Sequence, residues 1–148
     1  MKKNKLLQDP VLKKELLVWQ IIKFLYKHKR LILGRVGLTC SQFDILFTIY
    51  SFSDVKAEII QMDLADKSGI DPMTTSTILR NLEKKGLVTR CRSAVNTRAV
   101  IVQLTDKGLK MLQLAVEQIK LSNRKVYENI DEDGLKQQLL ELTERLNN

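Results

Sequence analysis

From Leu64 to Arg90 the chain reads LADKSGIDPMTTSTILRNLEKKGLVTR, and the fold is decided there. A short helix around Gln61 to Lys67 ends at Gly69, and Ile70, Asp71 and Pro72 start another. An aspartate can accept from the N–H groups that a helix start leaves unpaired, and proline suits the first helical position because its missing N–H is not needed there. The second helix runs to about Lys85 and stops at Gly86, with Thr75, Ile78, Leu79 and Leu82 forming an inward stripe at three- and four-residue spacing. Ala65 lets the two helices approach, Gly69 turns the chain, and Ile70 plugs the space between them. Two short helices on a tight glycine turn form a helix-turn-helix when the second is free to enter a major groove.

Beyond Gly86 the period changes from 3.6 to two. Leu87 to Arg92 and Arg98 to Leu104 are β-prone runs around a polar tip, Ser93 to Thr97, which predicts a β-hairpin. Toward the N-terminus, Thr39 or Ser41 caps a helix carrying Phe43, Leu46, Phe47 and Tyr50, and Ser51 to Glu58 reads as a loop. Pro10 to Leu33 is one long amphipathic helix punctuated by Gly34 and Gly37. Toward the C-terminus, Thr105 caps a helix through about Tyr127, and Asp131 opens a last one carrying Leu135, Leu139, Leu142 and Leu146. The fold expected is mainly α with a small β-hairpin wing (α+β), in the order ααααββαα.

The outer face of the helix after Pro72 displays Met73, Thr74, Ser76, Thr77, Arg80 and Asn81, a mixture of hydroxyl, amide, guanidinium and methyl groups suited to base edges. Arg80 can pair with guanine or with phosphate, and Asn81 can address adenine; a helix face alone does not separate base from backbone contacts. Arg90, Arg92 and Arg98 surround the hairpin tip, with no acidic residue between Gly86 and Gln103, which suits phosphate or a narrow minor groove. Arg98 is the wing contact expected, with Arg92 beside it and Asn96 and Thr97 shaping the loop. Thr39 and Ser41 complete the candidate DNA-binding set. The plainer alternatives are a solvated helix face and surface arginines that serve solubility.

Composition agrees with this without deciding it. The 148 residues are 44% hydrophobic and 28% charged, enough for one compact domain and too apolar for a disordered chain. Net charge is +8, and residues 1–35 alone carry +8, from ten Lys/Arg against two acidic side chains. Such a balance attracts polyanions, nucleic acid first among them. Cys40 and Cys91 have neither metal-site spacing nor a disulfide framework, no signal-peptide pattern is present, and Lys23 and Lys27 interrupt the first apolar stretch. A cytoplasmic protein without membrane association or cofactor is expected.

The quoted stretch, together with RAVIVQLTDKG at residues 98–108 and LTCSQFDIL at residues 38–46, resembles the MarR family of multiple antibiotic resistance regulators. The resemblance implies a winged helix-turn-helix reading head, residues 36–108, set between N- and C-terminal dimerisation helices, residues 1–35 and 109–148, in one MarR-like domain spanning residues 1–148. It implies an obligate homodimer on a palindromic operator, with Leu12, Leu16, Trp19, Leu135, Leu139, Leu142 and Leu146 in the dimer seam. It also implies release by an unidentified small-molecule effector, in a pocket where the dimer helices meet the reading head. Three positions depart from the family pattern. Asn96 stands where an aspartate usually precedes the wing arginine by two residues, Thr97 replaces a common arginine, and Thr77 replaces a frequent one. Asparagine still accepts backbone hydrogen bonds, so the loop should form without an ion pair to Arg98.

Other chemistry is thinly represented. The single His28 lies among Lys27, Lys29 and Arg30, where a solvated side chain is expected, and no phosphate-cradling loop or nucleophile elbow occurs. Oxidant-responsive relatives give Cys91 a possible sensing role, although strand alternation points it toward the protein and Cys40 reads as a space filler. The reading is therefore a DNA-binding transcriptional regulator and not an enzyme. A winged-helix protein-interaction module and a nonspecific nucleoid-associated DNA binder are the competing classes.

Overall fold

The computed structural model describes residues 6–148. A short 3-10 turn, Leu6–Gln8, leads into α1 (Pro10–Arg35), α2 (Cys40–Phe52), α3 (Gln61–Ser68), α4 (Pro72–Lys84), the strands β1 (Val88–Arg92) and β2 (Val100–Leu104), α5 (Asp106–Tyr127) and α6 (Glu132–Asn147). The expected order of elements is present. Local chemistry explains the starts: Asp9 accepts from the Val11 and Leu12 N–H groups ahead of Pro10, and Thr39 and Gln42 exchange a reciprocal capping box at 3.1 Å in each direction. Thr105 and Asp131 cap α5 and α6 through the N–H groups of Gly108 and Gly134.

One core holds these elements together. Leu33 from α1, Ile45, Leu46 and Ile49 from α2, Leu64 from α3, Leu79 and Leu82 from α4, Val88 and Val102 from the hairpin, and Leu112 and Ala115 from α5 are all buried in it. Burying a Leu or Ile side chain contributes about 1.5–3 kcal/mol, so α3, α4 and the hairpin rest on the same apolar mass that receives the ends of α1 and α5. At the junction between β1 and α5, a Cβ on Gly108 would meet the Leu87 carbonyl oxygen at 1.9 Å. Only glycine lets α5 begin this close to the wing.

Four details differ from expectation. Helix α1 runs through Gly34 to Arg35, and Gly37, at φ 78°, makes the turn into α2. Helix α2 takes in Ser51 and Phe52, which shortens the predicted loop. Ile60 forms an isolated bridge with Ile101, so the segment before α3 lies along β2, and the Val102 N–H donates to the Ile59 carbonyl at 2.8 Å. This third edge was not expected because two isolated isoleucines have no period. Cys91 is exposed and not inward, because the phase of β1 is set by buried Val88, which turns Thr89 and Cys91 outward.

α6 differs from the other long helices in that none of its residues is buried. Leu135 is half-buried, while Leu139, Leu142 and Leu146 are exposed. Along α1, Leu12 is half-buried, and Leu16 and Trp19 are exposed together with Ile22, Phe24 and Tyr26. No single described helix is long and apolar enough to cross a membrane.

Candidate nucleic-acid interface

The turn between α3 and α4 is built from its smallest parts. Gly69 adopts the left-handed conformation, φ 68° and ψ 15°, and its N–H donates to the Ala65 carbonyl, closing α3. Buried Ala65 and half-buried Ile70 occupy the angle between the helices. The Asp71 carboxylate accepts from the Thr74 N–H at 2.9 Å. Hydrogen bonds from Thr74 hold that carboxyl below its ordinary value, keeping it charged at the positive end of the α4 dipole. Thr75 is fully buried and donates its hydroxyl to the Ile70 carbonyl at 3.3 Å, a polar pin under the first turn of α4.

What remains outside on α4 is the predicted set. Met73, Thr74, Thr77, Arg80 and Asn81 are exposed and Ser76 is half-buried. The Thr77 hydroxyl donates to the Met73 carbonyl at 3.1 Å and accepts from Arg80 at 3.3 Å. It is therefore already committed within the helix, and Arg80 is leaned over it. Ile78, placed in the inward stripe, is half-buried against the core.

In the wing, Ser93 is buried and its Oγ accepts from the Val95 and Asn96 N–H groups, both at 3.2 Å. Asn96 Oδ1 accepts from the Arg98 N–H at 3.2 Å, and the Asn96 carbonyl from the Ala99 N–H at 2.8 Å. The asparagine thus holds the loop by backbone bonds, as its chemistry allows. Ser93, read only as part of a polar tip, proves to be its internal pin. Arg92, Asn96, Thr97 and Arg98 are exposed, and the Arg98 guanidinium makes no hydrogen bond or salt bridge among the described residues.

The structure removes Arg90 from the free arginines. Its Nε and Nη2 donate to Glu83 Oε2 at 3.1 and 2.8 Å, clamping β1 to the last turn of α4. Lys85 is likewise engaged: its Nζ donates to the Gly37 carbonyl at 2.9 Å and to Gln42 Oε1 at 3.3 Å. Lys107 reaches the Lys85 carbonyl at 2.8 Å, and the Thr105 hydroxyl donates to the Gly86 carbonyl at 2.7 Å. Thr39, exposed, and Ser41, half-buried, lie at the start of α2, where the Thr39 oxygen serves as the cap. The start of α3, Pro72 at the first position of α4 and the Arg98 loop line one cleft, of about 240 Å³, with Gln61, Met62, Asn96 and Arg98 in its walls.

A second feature lies behind the reading head. Between α1, α2 and α5 a cavity of about 410 Å³ is walled mainly by Leu25, Ile32, Phe43, Phe47, Val116 and Ile119. His28, expected to be solvated, lines it: the ring is half-buried and its Nε2 is buried with no partner.

Comparison with known proteins places this geometry. The model of the MarR family matches residues 38–100. The HTH-type regulator YdgJ of Bacillus subtilis is 27% identical over 112 residues, covering 76% of this chain and 65% of that protein. The HTH-type transcriptional regulator MgrA of Staphylococcus aureus is 34% identical over 74 residues, 50% of this chain and 48% of that protein. The chain thus aligns with about half to two thirds of the length of these relatives. Among solved structures, the transcriptional repressor CouR bound to a 23-mer DNA duplex superposes with a TM-score of 0.80 at 22% identity, over 100% of this chain and 99% of that one. CouR from Rhodococcus jostii bound to p-coumaroyl-CoA gives 0.73 at 20% identity, over 93% and 91%. The segment from α2 through the wing thus matches the MarR family model, and the fold from α1 to α6 is the one seen in these regulators.

Proposed function

We propose that the chain is a cytoplasmic homodimer that binds a palindromic duplex operator in a sequence-specific way and regulates transcription, as a repressor released by a small molecule. The observation that carries this is the pairing of an exposed, polar α4 face with an exposed Arg98 guanidinium that has no partner among the described residues, on a pinned wing. The α4 residues Met73, Thr74, Ser76, Thr77, Arg80 and Asn81 address bases, while Arg92, Asn96, Thr97 and Arg98 hold phosphate and minor groove. Thr39 and Ser41 approach the backbone from the start of α2. Residues 36–108 are the reading head, and residues 1–35 and 109–148 form the dimer.

The dimer is supported by exposed apolar residues that one copy leaves without cover, Leu16 and Trp19 on α1 and Leu139, Leu142 and Leu146 on α6. The repressor reading draws on likeness to CouR, which has been solved on DNA and with p-coumaroyl-CoA. Selection of bound duplexes from a random pool at near-physiological salt tests the proposal. An inverted repeat with half-sites about one helical turn apart is expected. Bound DNA with no motif would instead indicate nonspecific coating, and no bound DNA a protein-interaction module. Thr77→Ala should shift base preference through the repositioned Arg80, whereas Arg98→Ala should weaken every sequence alike.

A further inference from the structure

Gln61 and Arg98 line the same cleft between the start of α3 and the wing. Gln61 is the first residue of α3, and its Oε1, with less than 1 Å² exposed, has no hydrogen-bond partner among the described residues. A carbonyl oxygen buried without a donor destabilises the fold by its lost hydration, so its retention calls for a donor. In the same cleft stands Arg98, exposed, with a guanidinium that only donates and that has no partner among the described residues. The mounts on both sides are fixed. The Ile60 N–H donates to Asp63 Oδ2 at 3.1 Å and Ile60 bridges to Ile101, which sets the backbone leading into Gln61. On the wing, Ser93 Oγ and Asn96 Oδ1 hold the loop through backbone N–H groups. The neighbouring acceptors are engaged: Asn96 Oδ1 takes the Arg98 N–H, and the Asp71 carboxylate beside Pro72 takes the Thr74 N–H.

We infer that Gln61 is the positioning residue of the wing arginine: Arg98 turns into the cleft, donates one guanidinium N–H to Gln61 Oε1, and presents its remaining N–H groups to DNA. Rotation of one exposed side chain makes the contact, with no change in the backbone. An arginine held in this way has given up rotamer freedom before it meets phosphate or a minor groove, so less is lost on binding. A neutral amide also leaves the guanidinium charge free for phosphate, where a carboxylate would offset it. The inference deepens the DNA-binding reading above and rests on it for its effect on affinity, while the contact within the protein is tested without DNA.

The first measurement is the rotation of each guanidinium about its Nε–Cζ bond, read by nitrogen NMR on the full chain without DNA. Arg90, clamped by Glu83, and Arg92, exposed, supply the slow and fast references. Arg98 is expected to turn more slowly than Arg92 in the parent and at the rate of Arg92 in Gln61→Met, which keeps the length of the side chain and removes the acceptor. Arg98 as fast as Arg92 in the parent, or equally slow in both proteins, would overturn the inference. The second measurement is affinity for a labelled duplex of random sequence, since a wing contact acts on every sequence alike. Gln61→Met should lower it about tenfold for each wing engaged, the size of one hydrogen bond to a charged group, and should have no effect in an Arg98→Ala background. The salt slope of Gln61→Met should stay at the parent value, because Arg98 keeps its charge. An equal loss in both backgrounds, or no loss in either, would overturn the positioning role. Failure of the parent to bind any duplex, with the rotation pattern intact, counts against the DNA-binding reading and leaves the contact standing.

Discussion

Arg98→Ala, compared with Arg90→Ala, separates a contacting arginine from a structural one. Both residues lie in the wing, but the Arg98 guanidinium has no partner among the described residues while Arg90 is held by Glu83. If each Arg98 neutralises one phosphate, the two wings of a dimer contribute two contacts. Each contact adds about 0.9 to the slope of log affinity against log salt, so Arg98→Ala should flatten that slope by about 1.8. Over a fourfold rise in salt the parent should then lose about 12-fold more affinity than the variant. Fluorescence anisotropy of a labelled operator between 50 and 200 mM salt, roughly the range over which such losses are usually read, measures both slopes. Arg90→Ala should leave the slope unchanged and cost at most about 1 kcal/mol in stability, as for a partly exposed ion pair. Equal slopes for the parent and Arg98→Ala, or a flattened slope in Arg90→Ala, would refute this division.

Three further outcomes are expected. Leu79→Ala, at a position with no exposed surface, should cost about 2–5 kcal/mol and lower the thermal midpoint with the fold otherwise retained. Burial raises the Asp63 carboxyl, but the hydrogen bond and charge of Lys56 and the Ile60 N–H outweigh it and hold the group below 3.8. A lowered folded-state value means stability that is present above the unfolded value and lost as pH falls through the folded one, so melting midpoints should drop below about pH 4, and less steeply in Lys56→Met. Leu139→Glu with Leu142→Glu should yield a monomer by analytical ultracentrifugation and weaken operator binding; a dimer of unchanged affinity would remove α6 from the interface.

The reading head was legible because its signals are local. Gly69, Asp71 and Pro72 act within a few residues of themselves, and the structure has them in the expected turn and cap. The exposed α4 face followed from the stripe of Thr75, Leu79 and Leu82 beneath it. What could not be read depends on how separate elements pack against each other. The Arg90–Glu83 clamp requires the angle between β1 and α4, and Lys85 finds Gly37 48 residues away. The orientation of Cys91 turned on which of two adjacent apolar residues, Leu87 or Val88, sets the strand phase. Both proved buried, because Leu87 belongs to the turn before the strand. His28 looked solvated among its cationic neighbours along the chain. Its surroundings are set instead by α2 and α5 folding back over α1.

Helix α4 is moored at both ends. Lys85 ties its rear to the corner between α1 and α2, while Lys107 and Thr105 tie the same end to the start of α5. At its front, fully buried Thr75 is fastened through its hydroxyl to the Ile70 carbonyl. Thirteen residues at about 1.5 Å each make a rod of roughly 20 Å that cannot tilt by itself. Its outer face must therefore meet or leave a row of base edges as one body with the core beneath it, so that a signal reaching α4 has to turn α2, α3 and the wing together with it.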